Sequence, residues 1–363
     1  MRTSRTLAAA AAVAATVAPL VYAAGQQAST GTLDAASRTQ VIDGAIDHLQ
    51  RAYIFADAAE KMASALRSHA AKGAYDAITD PVKFAETLTA QLQEVSKDKH
   101  LRIVYRAHGL AERRGPPTPE DDARFLADER RRNFGFERVE RLDGNVGYIE
   151  LLGFSDADEV TEAAVPAMNF VANTDALIFD LRRNGGGSPV TIRILSSYLF
   201  DKVVHLNDFY IRETDTTRQF FTNAEVQGRR YGEHKPVFVL TSNRTFSAAE
   251  EFTYNLKNLK RATIVGEITG GGAHPGGVRR ITDKFGIWLP NGRAINPITK
   301  TNWEGVGVEP DIEVESGQAL RAAHLAALRG IRETATDARH REQIDRAIGV
   351  LEKDGSRRPF GSG

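Results

Sequence analysis

The sequence contains no cysteine. That excludes disulfides, zinc–thiolate sites, a cysteine nucleophile and a lipid-modified cysteine. Neither sign of charge is in excess, since 47 Lys and Arg balance 47 Asp and Glu. Nucleic-acid binding as a main role usually shows a basic surplus, so the balance argues against it. The apolar run near the start, residues 7–20, is broken by Thr16 and Pro19. It falls short of the roughly 20 residues that a membrane span needs. No internal repeat is visible. No glycine turn is followed by the Gly-Lys-Ser/Thr of a phosphate loop, and nothing implies a metal or an organic cofactor.

What is present begins with an export pattern. Arg2 and Arg5 precede the Ala/Val/Leu run, and Val21-Tyr22-Ala23 gives a small-x-small site. Residues 1–24 read as a secretory signal peptide cleaved near Ala23 or Ala24, with an uncleaved anchor as the rival reading. Export without disulfides suits a bacterial periplasm or the outside of a bacterial cell. No stable membrane span is expected after cleavage. The remaining chain is long enough for one large domain or two modest ones.

Helical periodicity starts near Ala35, with Val41, Ala45, Ile46, Leu49 and Ala52 on one face. A second helix spans residues 58–71, with Met62, Ala65, Leu66 and His69 on one stripe. Asp80-Pro81 opens a third, as a cap followed by a first-turn proline. Residues 35–97 thus form a three-helix bundle. Residues 101–105 alternate as a strand, and the charged stretch 111–132 is a solvated connector or an exposed helix. From Asn133 strands and helices alternate: strands at 146–152, 176–180, 236–240 and 262–265, helices at 156–173 and 189–199, and one after Ser247. Residues 278–282 and 285–289 flank a hairpin turn. The fold class is α/β (α+β) with a mostly parallel or mixed sheet carrying helices on its faces. Residues 317–353 are helical, and 354–363 form a disordered tail.

Four constellations carry candidate chemistry. In TSNRTFSAAE, residues 241–250, Ser247 stands where a strand gives way to a helix. Such a corner exposes a hydroxyl beside free helix N–H groups, which suits a nucleophile with an oxyanion donor. Serine is also a common helix cap, and alone the corner favours the cap. In DLRRNGGGS, residues 180–188, a strand ends in three glycines, readable as an anion-binding nest or as a plain turn. In GEITGGGAHPGG, residues 266–277, glycines give a closely approached cleft wall or a flexible lead. His274 could serve there as a base, although a lone loop histidine usually does not. His100, in SKDKHLR, and Glu304, in WEGVGVEPD, read singly as a surface histidine and a solvated carboxylate.

Taken together and in this order, the four motifs resemble the S41 serine peptidases. That family includes the carboxyl-terminal processing (tail-specific) proteases and the tricorn core protease. Within it, the chain is similar to the branch related to interphotoreceptor retinoid-binding protein modules. The resemblance runs from about residue 42 to residue 311. It implies a mixed-sheet protease core of the ClpP/crotonase-like type over residues 98–316, and a protein or peptide substrate. It implies Ser247 as nucleophile, the Ala248 and Gly186 N–H groups as oxyanion donors, and substrate contacts from Gly185, Gly187, Gly271 and Gly272. The processing branch places a basic lysine where this chain has Gly272. The tricorn-type histidine and glutamate match His100 as base and Glu304 as orienter. Tricorn has a serine before the histidine, whereas Lys99 stands there in this chain. No counterpart of a PDZ domain fits between His100 and Val146. The retinoid-binding relatives imply the rival function, a carrier of hydrophobic ligands.

Overall fold

The computed structural model describes residues 31–110 and 117–356. The expected signal peptide therefore lies outside the described residues. Among those described, no helix is long and apolar enough to cross a membrane.

Three helices open the chain: α1 (Ala35–Ala52), α2 (Ala56–Ala71) and α3 (Pro81–Ser96). Asp34 accepts the Ser37 N–H at 2.7 Å and Asp80 accepts the Lys83 N–H at 2.8 Å, so both helix starts are capped. The bundle buries Leu49, Met62, Leu66, Phe84 and Leu88 against β1 (Arg102–Tyr105). The charged stretch resolves into an exposed helix, α4 (Pro119–Arg131), which buries only Glu129.

The core follows as β2 (Phe136–Leu142), β3 (Val146–Leu151), α5 (Thr161–Val171), β4 (Ala176–Asp180) and α6 (Pro189–Ser197). Then come β5 (His205–Ile211), β6 (Thr216–Phe221), β7 (Val237–Thr241), α7 (Ala248–Asn258) and β8 (Thr263–Gly266). The chain closes with β9 (Gly276–Arg280), β10 (Phe285–Pro290), β11 (Gly292–Ile295), β12 (Ile312–Glu313), α8 (Ser316–Thr334) and α9 (Ala338–Ser356). The main sheet has the order β12-β8-β7-β4-β3-β2 and is parallel except for β2 against β3. One face packs on α5, α6 and α7 through residues such as Phe179, Val239 and Phe252. The other packs on α8 and α9 through Ile178, Leu240 and Leu328. This is the mixed α/β architecture that the patterning predicts.

Two small antiparallel sheets complete the molecule, β1-β10-β9 and β11-β5-β6. The first joins the bundle to the core, because β1 pairs with β10 and places Arg102 opposite Trp288. The strands β2, β5, β6 and β11 have no counterpart in the sequence reading. In β6 only Phe220 is buried, so the alternation that marks a half-buried strand is missing. α9 extends to Ser356, past the start of the expected tail.

Candidate active site

Parallel strands point their C-terminal ends at one rim, where ligands of open α/β sheets usually bind. β4, β7 and β8 end at that rim, and each leads into one of the marked loops. The loops after β4 and β7 are tied together. Ser242 Oγ donates to Arg182 O at 2.6 Å, Thr245 Oγ1 to Leu181 O at 2.8 Å, and the Phe246 N–H to Asn184 O at 3.1 Å. The loop after β8 joins them through the Gly270 N–H, which donates to Thr245 O at 2.9 Å.

Ser247 sits on this tied corner at φ 56° and ψ −121°, directly before α7. A non-glycine residue at positive φ is strained, and such strain gathers at functional corners. The residue is partly exposed, while Ala248 and Ala249 behind it are buried. Ala248 is the first helical residue, so its N–H has no intrahelical acceptor. Gly186 lies against the serine: a Cβ on Gly186 would stand 2.8 Å from Ser247 Cβ and 3.0 Å from Ala248 N. Only glycine lets the two turns approach this closely. The Gly186 N–H donates to Asn184 Oδ1 at 2.8 Å. The Gly187 N–H meets no acceptor among the described residues, and Gly185 is exposed at the tip of the turn.

Glu250, one turn into α7, is the hub that sequence reasoning missed. It is fully buried and accepts from the Ser247 N–H at 2.9 Å, the Gly272 N–H at 2.8 Å, the Gly271 N–H at 2.6 Å and Thr269 Oγ1 at 2.5 Å. Burial pushes its carboxyl up to about 7 against the pull of these donors. The carboxylate thus ties the Ser247 backbone to Gly271 and Gly272. Its sequence signal is the Ser-x-x-Glu spacing of a capping box, from Ser247 to Glu250.

His100 enters from the bundle side. It is buried, with its ring stacked on Trp288 at 4.8 Å between centroids and tilted against Phe246 at 4.5 Å. Phe246, the ring that it meets, is the residue directly before Ser247. A Cβ on Gly272 would overlap the Phe246 ring and stand 2.6 Å from His100 Cε1. The rings of His100 and Phe246 fill the space that a side chain at position 272 would need. Burial lowers the His100 pKa to about 4, with Asp98 opposing and Arg102 and His274 assisting that fall. The imidazole is therefore neutral near pH 7. Lys99 turns to the loop rim and donates to Gly270 O at 2.5 Å.

Glu304 Oε2 accepts the Ala273 N–H at 2.5 Å and lies 3.5 Å from His274 Nδ1. Burial first, then the nearby Asp98, raises its pKa to about 7. One polar atom each of Asp98, His100 and Glu304 lies within 4.8 Å of the others. No hydrogen bond joins His100 to Glu304 among the described residues, and both ring nitrogens of His100 lack a partner. Asp98 and His274 adjoin both and were not foreseen as a pair. The signal was thin: two residues 176 positions apart, each in a loop.

Comparison with known proteins bears on this arrangement. The model of peptidase family S41 matches residues 145–314, and that of the N-terminal domain of peptidase S41 in eukaryotic IRBP matches residues 34–130. The chain belongs to peptidase family S41. Among curated proteins it is 31% identical over 168 residues to the chloroplastic carboxyl-terminal-processing peptidase 2 of Arabidopsis thaliana. It is 26% identical over 185 residues to a carboxy-terminal-processing protease of Bartonella bacilliformis. These alignments take in 46% and 48% of this chain but only 31% and 40% of those two relatives. The fold is shared with a lipoprotein structure from Streptococcus agalactiae, at a TM-score of 0.53 and 15% identity, over 81% of this chain and 97% of that one. The S41 match takes in the Ser247, Gly186, Gly272 and Glu304 loops, and the N-terminal match takes in His100.

Proposed function

We propose that the protein is an exported serine-type endopeptidase that hydrolyses protein or peptide substrates through an acyl-enzyme. The observation that carries this reading is Ser247, held at positive φ on the rim of the sheet with Gly186 against it and His100 beside Phe246. Ser247 Oγ attacks the scissile carbonyl carbon and His100 takes its proton. The same proton passes to the leaving amine, and water then hydrolyses the ester. Glu304 contributes to orienting His100 from its place 3.5 Å from His274 Nδ1. The Ala248 N–H and the Gly185–Gly187 turn receive the oxyanion, each donor contributing on the order of 10²–10³ in rate. The Gly186 N–H must leave Asn184 Oδ1 to do so, whereas the Gly187 N–H is already free of acceptors among the described residues. Gly271 and Gly272 line the opposite wall.

The rival reading, a carrier of hydrophobic ligands, would need an apolar recess, and two recesses among the described residues are both lined in part by charge. These recesses, of 720 and 400 Å³, are lined by charged residues such as Lys257, Lys260 and Asp311 in one, and Glu150, Arg183 and Arg244 in the other. Export is inferred from the first 24 residues, and N-terminal sequencing of the protein recovered from the periplasm or medium tests it. For the activity, casein and a mixed peptide library are offered to the wild type and to Ser247→Ala. Cleavage and fluorophosphonate labelling are expected in the first and absent in the second. Labelling that persists in Ser247→Ala would remove Ser247 from its role.

A further inference from the structure

Behind His100 lies a second layer of acid–base groups that the Ser247, His100 and Glu304 set leaves unused. Asp98 is 1% exposed, and both of its oxygens are engaged. Oδ2 accepts from His274 Nδ1 at 2.8 Å and from the Tyr53 hydroxyl at 3.3 Å. Oδ1 accepts the His100 backbone N–H at 3.0 Å and lies 4.0 Å from His100 Nδ1. Phe55 closes the far side of the His274 ring, edge-on at 5.3 Å.

A base imidazole needs an acceptor at one nitrogen so that the other faces the nucleophile. Stacking between Trp288 and Phe246 fixes the plane of the His100 ring but not its rotation within that plane. Asp98 can set that rotation. It is the carboxylate whose backbone contact makes it move with His100, and it faces Nδ1. A carboxylate this deeply buried stays charged only if it is well bonded. Burial raises the pKa of Asp98, but the contacts of His274 and His100 together outweigh it and bring the group below its usual value. Glu304 touches His274 instead, from the opposite loop.

We propose that Asp98, locked by His274 and Tyr53, is the carboxylate that positions His100, and that Glu304 acts on the base only through the His274–Asp98 pair. Asp98 is a positioning residue, since it faces the base and not the substrate. The inference rests on the reading of Ser247 and His100 given above. The charged and titratable groups around the His100 ring are Asp98, Arg102, His274 and Glu304.

The test compares kcat and KM for peptide cleavage, across the stable pH range, in the wild type, Asp98→Asn, Glu304→Gln, His274→Gln and His274→Ala. Asp98→Asn should lower kcat by about 10²–10⁴-fold with KM nearly unchanged. It should also move the acid limb of kcat to lower pH, because removing a negative neighbour makes His100 harder to protonate. A merely structural role would lower the folded fraction and leave that limb in place. His274→Gln keeps a donor for Asp98 and should retain more kcat than His274→Ala. If Asp98→Asn does not fold, the His274 pair still decides: equal, wild-type kcat and an unmoved limb in both would overturn the proposal. So would a folded Asp98→Asn enzyme with wild-type kcat beside an inactive Glu304→Gln. Failure of the serine-peptidase reading looks different, since the wild type itself would neither cleave peptide nor label at Ser247. That result would take this inference down with it.

Discussion

Glu250 and Glu304 are both carboxylates pushed up to about 7 chiefly by loss of solvent, yet their surroundings are opposite. Glu250 has four donors, two on each oxygen. Glu304 has one donor on Oε2, and its Oε1 is buried without a partner, as are both ring nitrogens of His100. A buried polar atom left unpaired costs about 1–3 kcal/mol. The carboxylate on the Ser247 side is therefore satisfied by its own loops, while the His100 side carries open hydrogen-bonding capacity. The difference separates two tasks. On the proposed reading, backbone N–H groups have to be held for the oxyanion, and a tightly bonded corner serves that. Proton-transfer groups must exchange partners during the reaction, so a fully bonded base side would compete with the substrate.

The sharpest way to break this contrast is at the place where the two sides touch. Gly272→Ala introduces a Cβ that overlaps Phe246 and stands 2.6 Å from His100 Cε1. Because the base side is loosely bonded, it should give way. kcat is expected to fall by about 10²-fold, the cost of displacing a catalytic group by roughly 1 Å. The loss of unfolding free energy should stay within about 1–3 kcal/mol. Steady-state kinetics beside urea unfolding measures both. An unchanged kcat would mean that His100 is not poised against this glycine. The next effect in size is that of Glu250→Gln. Either setting of the carboxamide turns an NH₂ toward a backbone N–H that the carboxylate now accepts. A loss of about 1–3 kcal/mol is expected, with slower fluorophosphonate labelling of Ser247. Stability and labelling both at wild-type level would show that the nucleophile corner does not depend on this carboxylate.

The two sides also differed in how far they could be read from the chain. The Ser247 corner was legible as a strand-to-helix turn because its parts are contiguous: an apolar strand, a short polar turn and a helix start within residues 236–258. The bundle was legible through its apolar stripes and through Asp80-Pro81. The positive φ of Ser247 was not visible, since serine gives no conformational signal of the kind glycine gives. Asp98 and His274 meet only because β1 pairs with β10 and brings the end of the bundle beside the loop after β8. Periodicity reports the local face of an element and says nothing about such register. Gly272 was legible as a missing lysine. The reason it must be small, the two rings filling its space, became readable only with the fold.

Glu251 supplies the control for the contrast between the two carboxylates. It neighbours Glu250 on α7 but turns away from the loops, and it is 3% exposed. Burial pushes its pKa up to about 8, outweighing the opposing pull of Asn207 on β5. A carboxyl whose folded pKa exceeds its unfolded value binds protons more tightly in the folded state. Its contribution to stability is therefore intact below the unfolded value of 4.5, and declines as pH rises toward about 8. Glu251→Gln removes that decline. Relative to wild type, the variant should gain on the order of 1 kcal/mol on the alkaline side and nothing on the acid side, with kcat unchanged. Urea unfolding at both ends of the range measures the difference. Parallel stability curves would mean that the buried carboxyl is not taking up its proton, and a changed kcat would place Glu251 inside the site rather than beside it.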